Sequence, residues 1–204
     1  MSTILSSLKN TVIAGLFLSL LLLVTFSSWG VIDSSSFSDQ AFYSFIFRWL
    51  HVLSAIMWIG LLWYFNFVQI PNMPNIPNDQ KPAISKVIAP AALWWFRWAA
   101  MATVVTGFVL GYLNGYLESA MTLGFRGDGA PQHIAIGIGM WLGIIMFFNV
   151  WFVIWPNQKR ALGIVSAEDS VKAASARTAM LFSRTNTLLS IPMLLSMVAA
   201  QNIF

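Results

Sequence analysis

Arg48-Trp49-Leu50-His51-Val52-Leu53-Ser54-Ala55-Ile56-Met57-Trp58-Ile59-Gly60 is the stretch whose reading decides the fold. It sets a histidine inside a run apolar enough to cross a bilayer. A titratable ring in hydrocarbon is costly unless something engages it, so His51 is a candidate functional residue from the outset. The same character extends through the chain. Hydrophobic residues make up 58% and charged residues 9%, where a soluble domain carries about 25% charged. The sequence therefore reads as an integral membrane protein. Its net charge of +4 collects in particular loops, which points to membrane topology and away from nucleic acid. There is no cysteine, which excludes disulfides, thiolate zinc sites, iron–sulfur clusters and covalently attached haem.

Working outward, five apolar segments emerge. Residues 12–29 form the first, read as a retained anchor helix in preference to a cleaved signal peptide, followed by the polar linker 33–39. The second, about 42–70, carries His51 and is expected to stop at Pro71, since proline lacks an N–H and clashes one turn back. The third, about 91–117, begins among Trp94, Trp95 and Trp98, and its Gly107, Gly111 and Gly115 suggest a smooth packing face. A loop over 118–130 leads to the fourth segment, about 131–155, which carries His133, the only other histidine. Ser166-Ala167-Glu168-Asp169 then reads as a helix start with a hydroxyl cap. The fifth segment, about 178–200, is expected to bend at Pro192.

Charge orients the spans. Lys9, Lys81, Lys86, Lys159, Arg160, Lys172 and Arg177 fall on one side, with Arg97 and Arg184 at helix ends beside them. Asp33, Asp39, Glu118 and Asp128 face them across the membrane, with Arg48 and Arg126. Positive loops stay inside. The expectation is a bacterial plasma-membrane protein with its N-terminus cytoplasmic and its C-terminus periplasmic.

The second and fourth spans match each other. His51 is followed by Phe65-Asn66-Phe67 and Ile70-Pro71-Asn72; His133 is followed by Phe148-Asn149-Val150 and Trp155-Pro156-Asn157. Phe96-Arg97 corresponds roughly to Phe182-Ser183-Arg184 in the spans that follow. The fold class expected is thus all-α integral membrane with five transmembrane helices, the last four forming a four-helix bundle of the haem type with a 2+2 parallel internal repeat. Residues 1–40 form the anchor and outer linker and 41–204 the bundle, with repeat halves of about 42–117 and 131–204. Chance recurrence of such helix ends is the competing explanation.

The repeat axis would set His51 opposite His133. Two neutral imidazoles on facing helices suit an axially ligated haem b. Ala55, one turn past His51, and Gly137, one turn past His133, are small enough to admit a macrocycle. Arg48 either meets a propionate or snorkels to the interface. The bland alternative for the histidines is two unrelated polar residues bonded between helices, and a copper site is short of ligands. Two protein ligands on the iron imply one-electron transfer without direct O2 binding. No nucleotide loop, buried carboxylate pair or nucleophile triad is present, no catalytic residue stands out, and the absence of acids from the spans disfavours an ion pump.

Phe47-Arg48-Trp49-Leu50-His51-Val52, the run Phe148-Asn149-Val150-Trp151-Phe152-Val153-Ile154-Trp155-Pro156-Asn157-Gln158-Lys159, and Arg184 to Pro192 resemble the membrane domain of the bacterial urate hydroxylase (PuuD-type) family over roughly 42–204. Members of that family join this domain to a C-terminal cytochrome c, which a stretch without cysteine does not contain, and oxidise urate. More distantly the His51 helix is similar to HemJ-type and CopD-type haem membrane proteins. The resemblance implies a haem-b electron-transfer protein working with a separate cytochrome c or within a larger membrane complex. The alternatives are a non-catalytic accessory subunit of a respiratory or oxygenase complex, or a urate- or porphyrinogen-oxidising enzyme.

Overall fold

A computed structural model describes residues 2–204. The described residues form helices joined by short loops, without strands. They divide into two compact units, Met1–Phe45 and Ile46–Phe204. The first unit is built on α1 (Leu8–Ser28), none of whose residues is buried. It is capped by Ser7, whose side chain accepts from the Asn10 amide, and Asp33 caps a short 3-10 turn at Ser34–Ser38.

The second unit packs helix on helix. Its major elements are α2 (Gln40–Trp63, which starts in the first unit), α3 (Ala89–Leu113), the short α4 (Leu117–Met121), α5 (Pro131–Phe148) and α6 (Asp169–Asn202). Trp58 and Leu62 of α2, Phe96 of α3, Met146 of α5 and Met193 of α6 meet in one buried cluster. The exterior is apolar as well: Ile56, Val105, Ile145 and Leu188 are all exposed. A surface this greasy suits lipid.

Four stretches are long and apolar enough to cross a membrane: Leu8–Ser28, Gln40–Asn75, Lys81–Leu113 and Pro131–Ala161. The fifth expected span lies within α6, which at 34 residues is long enough but too polar on average to join them. The polarity is turned inward. Ser183, Asn186 and Ser190 are buried, while Leu188, Ile191, Leu195 and Val198 are exposed. These polar residues lower the average hydropathy of α6 although they bond to neighbouring helices. α6 runs unbroken through Pro192.

Pro71 does not end its helix, contrary to the expectation. Winding continues to Asn75 through a π turn at Tyr64–Gln69. Equivalent π turns occupy Ile84–Ile88 and Asn149–Ile154. Each ends two residues before a proline: Pro71, Pro90 and Pro156. The residue just before each proline donates five residues back, Ile70 to Phe65, Ala89 to Ile84 and Trp155 to Val150. The widened turn takes up the carbonyl that a proline in an α-helix would crowd. Beyond two of these turns Asn72 donates to the Val68 carbonyl and Asn157 to the Val153 carbonyl, each at 2.8 Å.

Three other local expectations are corrected. α6 begins at Asp169 with Glu168 in the cap position and no side-chain cap bond, so Ser166 does not cap it. The 118–130 loop contains most of α4. Gly115 is not on the packing face of α3: it follows the C-cap Asn114 with φ +73°, the left-handed turn that ends the helix.

Candidate functional site

His51 projects from α2 onto α3. Its Nδ1 lies 2.9 Å from the Thr103 carbonyl and 3.2 Å from Thr106 Oγ1. A carbonyl has no proton to give, so Nδ1 carries the hydrogen and Nε2 holds the lone pair. The Thr103 side chain is turned away, donating to the Ala99 carbonyl. Gly107 makes room for the ring: a Cβ there would come within 3.0 Å of His51 Cε1.

His133 sits in the first turn of α5. Its Nδ1 is 2.9 and 2.8 Å from the two Asp128 carboxylate oxygens. The carboxylate likewise only accepts, so Nδ1 donates, and Nε2 makes no hydrogen bond. The Asp128 carboxylate also accepts from the Ala130 amide at 3.2 Å. Its pKa is lowered to about 2, first by the His133 hydrogen bond and then by the Ala130 amide. Asp128 is held by a loop in which Gly124, Gly127 and Gly129 all adopt positive φ, a conformation that glycine enters without strain. On the other side Tyr116 stacks on the His133 ring, centroids 5.3 Å apart. Burial pushes the Tyr116 phenol above its ordinary pKa, against the opposing pull of Arg48.

His133 opens on a cleft of about 320 Å³ lined by Arg48, Asn114, Tyr116, Gln132 and Gln201 among others. Arg48 is exposed and donates to Gln201 Oε1 at 2.9 Å, which ties α2 to the end of α6. So Arg48 and His133 share one cleft. His51 is not among the residues lining it, and no hydrogen bond joins the two histidines. Ala55 is half-buried, one turn along α2 from His51. Gly137 does not offer an open face, because a Cβ built on it would run into the Ala120 carbonyl. Its bare backbone is the seat of α4, and a macrocycle could not lie there. Among the described residues no group of three or more His, Cys, Asp or Glu forms a metal cluster.

Sequence reasoning missed Asp128, Tyr116, Gln132 and Gln201 as parts of this site. Only Asp128 left a readable signal, a carboxylate five residues before a histidine across a glycine–proline turn. The others are gathered by the fold.

Residues 124–202 match the family model described as urate oxidase N-terminal. That interval holds the Asp128 loop, α5 and all of α6, and agrees with the urate hydroxylase resemblance. No curated protein and no solved structure matches the chain.

Proposed function

We propose that the chain is a membrane-embedded, haem-b-binding electron-transfer protein related to urate hydroxylase, in which His51 and His133 would hold the haem. One observation carries the reading: both rings commit Nδ1 to an oxygen acceptor and leave Nε2 without a hydrogen bond. A ligating histidine is fixed in this way, its outer N–H held so that the tautomer and the ring orientation suit the metal. Each imidazole would thereby offer its Nε2 to an iron, although His51 does not line the cleft on which His133 opens. When bound, haem b would supply one-electron chemistry. Arg48 would offer positive charge to a propionate, and Gly107, not Gly137, supplies the clearance beside a ligand.

The five-span arrangement is part of this reading. α6 counts as a span because its exposed face is apolar and its polar row is buried. The paired π turns and the matched Asn72 and Asn157 bonds support a 2+2 repeat. The lysine-rich ends would face the cytoplasm of a bacterial cell. The histidine ends would then face outward, toward a cytochrome c or a larger complex.

A second reading, a urate-oxidising enzyme, draws on the cleft. A guanidinium, carboxamides and a stacked Tyr116–His133 pair suit a flat, amide-rich anion. There His133 Nε2 would take a proton, with Asp128 orienting the ring.

The test is the reduced-minus-oxidised spectrum of the purified protein. A haem b signal lost in both His51→Ala and His133→Ala supports the first reading. A protein that carries no haem yet turns over urate, and stops in His133→Ala but not in His51→Ala, replaces it with the second.

A further inference from the structure

A second charged cluster lies at the opposite end of the bundle and plays no part in the histidine site. Arg97, one of the polar residues inside the third span, lays its guanidinium carbon 3.3 Å from the centroid of the Trp155 ring and 5.7 Å from that of Trp151. Lys159 brings its ammonium to the same Trp155 ring, 5.6 Å from its centroid. One indole thus gathers two cations. The Arg97 Nε donates to the Leu93 carbonyl of its own helix, which uses one of five donors. The salt bridges among the described residues are His133–Asp128 and Lys172–Asp169, so neither cation has a carboxylate partner. Arg97, Trp151, Trp155 and Lys159 are each half-buried.

An arginine that only snorkels would extend its head into water. Arg97 is folded back on its helix and held over an aromatic ring, with its terminal nitrogens unspent. Cation–π attraction fixes the two positive groups but neutralises neither. Like charges brought together at the edge of hydrocarbon need an anion, and none comes from the described residues. The donor geometry of guanidinium matches phosphate oxygens, with the ammonium as a point charge beside it.

We infer that Arg97 and Lys159, gathered on Trp155, bind the phosphate of a net-anionic phospholipid. A tryptophan at that level is an interfacial anchor, which puts the site where headgroups lie. A zwitterionic headgroup brings its own cation to two others, so a net negative lipid is preferred. The inference is independent of haem.

Native mass spectrometry of the detergent-purified chain, exposed to equal phosphatidylglycerol and phosphatidylcholine, tests it. Wild type should retain phosphatidylglycerol in preference, on the order of tenfold. The preference should fall toward unity in Arg97→Gln/Lys159→Gln and persist in Arg184→Gln, which removes an exposed arginine elsewhere. Should the double variant not fold, Lys159→Gln alone decides, with a partial loss expected. Thermal unfolding with inorganic phosphate separates the two sources of the anion: protection equal to that from phosphatidylglycerol would assign the site to a free anion and overturn the inference. Equal retention of the two lipids by wild type, or an unchanged preference in the variants, overturns it as well.

Discussion

The second and fourth spans are alike at one end and different at the other. At the lysine-rich end both pass through a π turn into a proline, and both close with an asparagine bonded back to a valine carbonyl. At the histidine end the half-buried His51 is held by a main-chain carbonyl of α3, whereas His133 is held by the side chain of an exposed loop acid. Matched sequence therefore built matched helices with unmatched surroundings. His51 is oriented by something no substitution can delete. His133 is oriented by one carboxylate and its glycine-rich loop.

Packing follows the same division, and the largest expected effect tests it. Gly137 of the fourth span faces the Ala120 backbone, whereas Gly60 of the second has nothing within 4 Å. Gly137→Ala should cost about 3 kcal/mol, the upper end of overpacking, because a carbonyl cannot swing away as a side chain can. Gly60→Ala should be neutral or stabilise by about 0.5 kcal/mol. Thermal unfolding of the two variants in detergent reads the difference. Equal effects would mean that the fourth span is no more tightly seated than the second.

The next test concerns the asparagines. Asn149 donates to Asn186 Oδ1 at 2.8 Å, and Asn186 donates to the Met146 carbonyl at 2.9 Å. Asn66 donates to Ser183 Oγ at 2.7 Å and to the Leu62 carbonyl of its own helix. Asn186→Ala strands the buried Asn149 amide and should cost about 2 kcal/mol. Ser183→Ala leaves Asn66 its local acceptor and should cost about 0.6 kcal/mol, an ordinary interhelical bond in a membrane protein. Melting temperatures that fall equally would make the two contacts equivalent.

Much of this scaffold was legible in the sequence. Long apolar runs, two histidines and paired Pro-Asn ends leave one-dimensional marks. α6 was legible as a segment but not by average hydropathy, since Ser183, Asn186 and Ser190 are buried polar groups whose partners lie far along the chain. Pro71 reads as a helix end in sequence and is not one, because proline's effect depends on whether the preceding turn can widen. The site was only half legible. Asp128 lies near His133 in sequence, but Tyr116, Gln132 and Gln201 reach the cleft by tertiary packing. Gly137 carried the wrong meaning: a small residue reads the same whether a cofactor or a backbone fills the space beside it.

The third test is the Asp128 tether. Asp128→Asn leaves an amide that can present either oxygen or nitrogen to His133, so the ring is no longer confined to one tautomer. Imidazole ¹⁵N shifts of labelled protein should change for His133 and stay fixed for His51. If haem binds, its affinity should fall on the order of tenfold to a hundredfold. The pH dependence has a definite sign. The folded carboxyl titrates at about 2, below its ordinary 3.8, so its contribution is complete above pH 3.8 and is lost as pH falls through about 2. Thermal unfolding should lose that acid step in Asp128→Asn.

The smallest effect belongs to His51, and it completes the contrast. Thr106 Oγ1 lies 3.2 Å from His51 Nδ1, but it also donates to the Ala102 carbonyl, and the Thr103 carbonyl is the nearer acceptor. Thr106→Val removes a hydroxyl and keeps the branched shape, so the ring should hold its tautomer through Thr103 alone. The expected change is within about 0.5 kcal/mol, as for substitutions that leave no buried group without a partner, with His51 ¹⁵N shifts unmoved. A large shift would mean that a hydroxyl, and not the main chain, orients His51. Both histidines would then depend on one replaceable side chain, and the asymmetry between the two spans would be one of sequence alone.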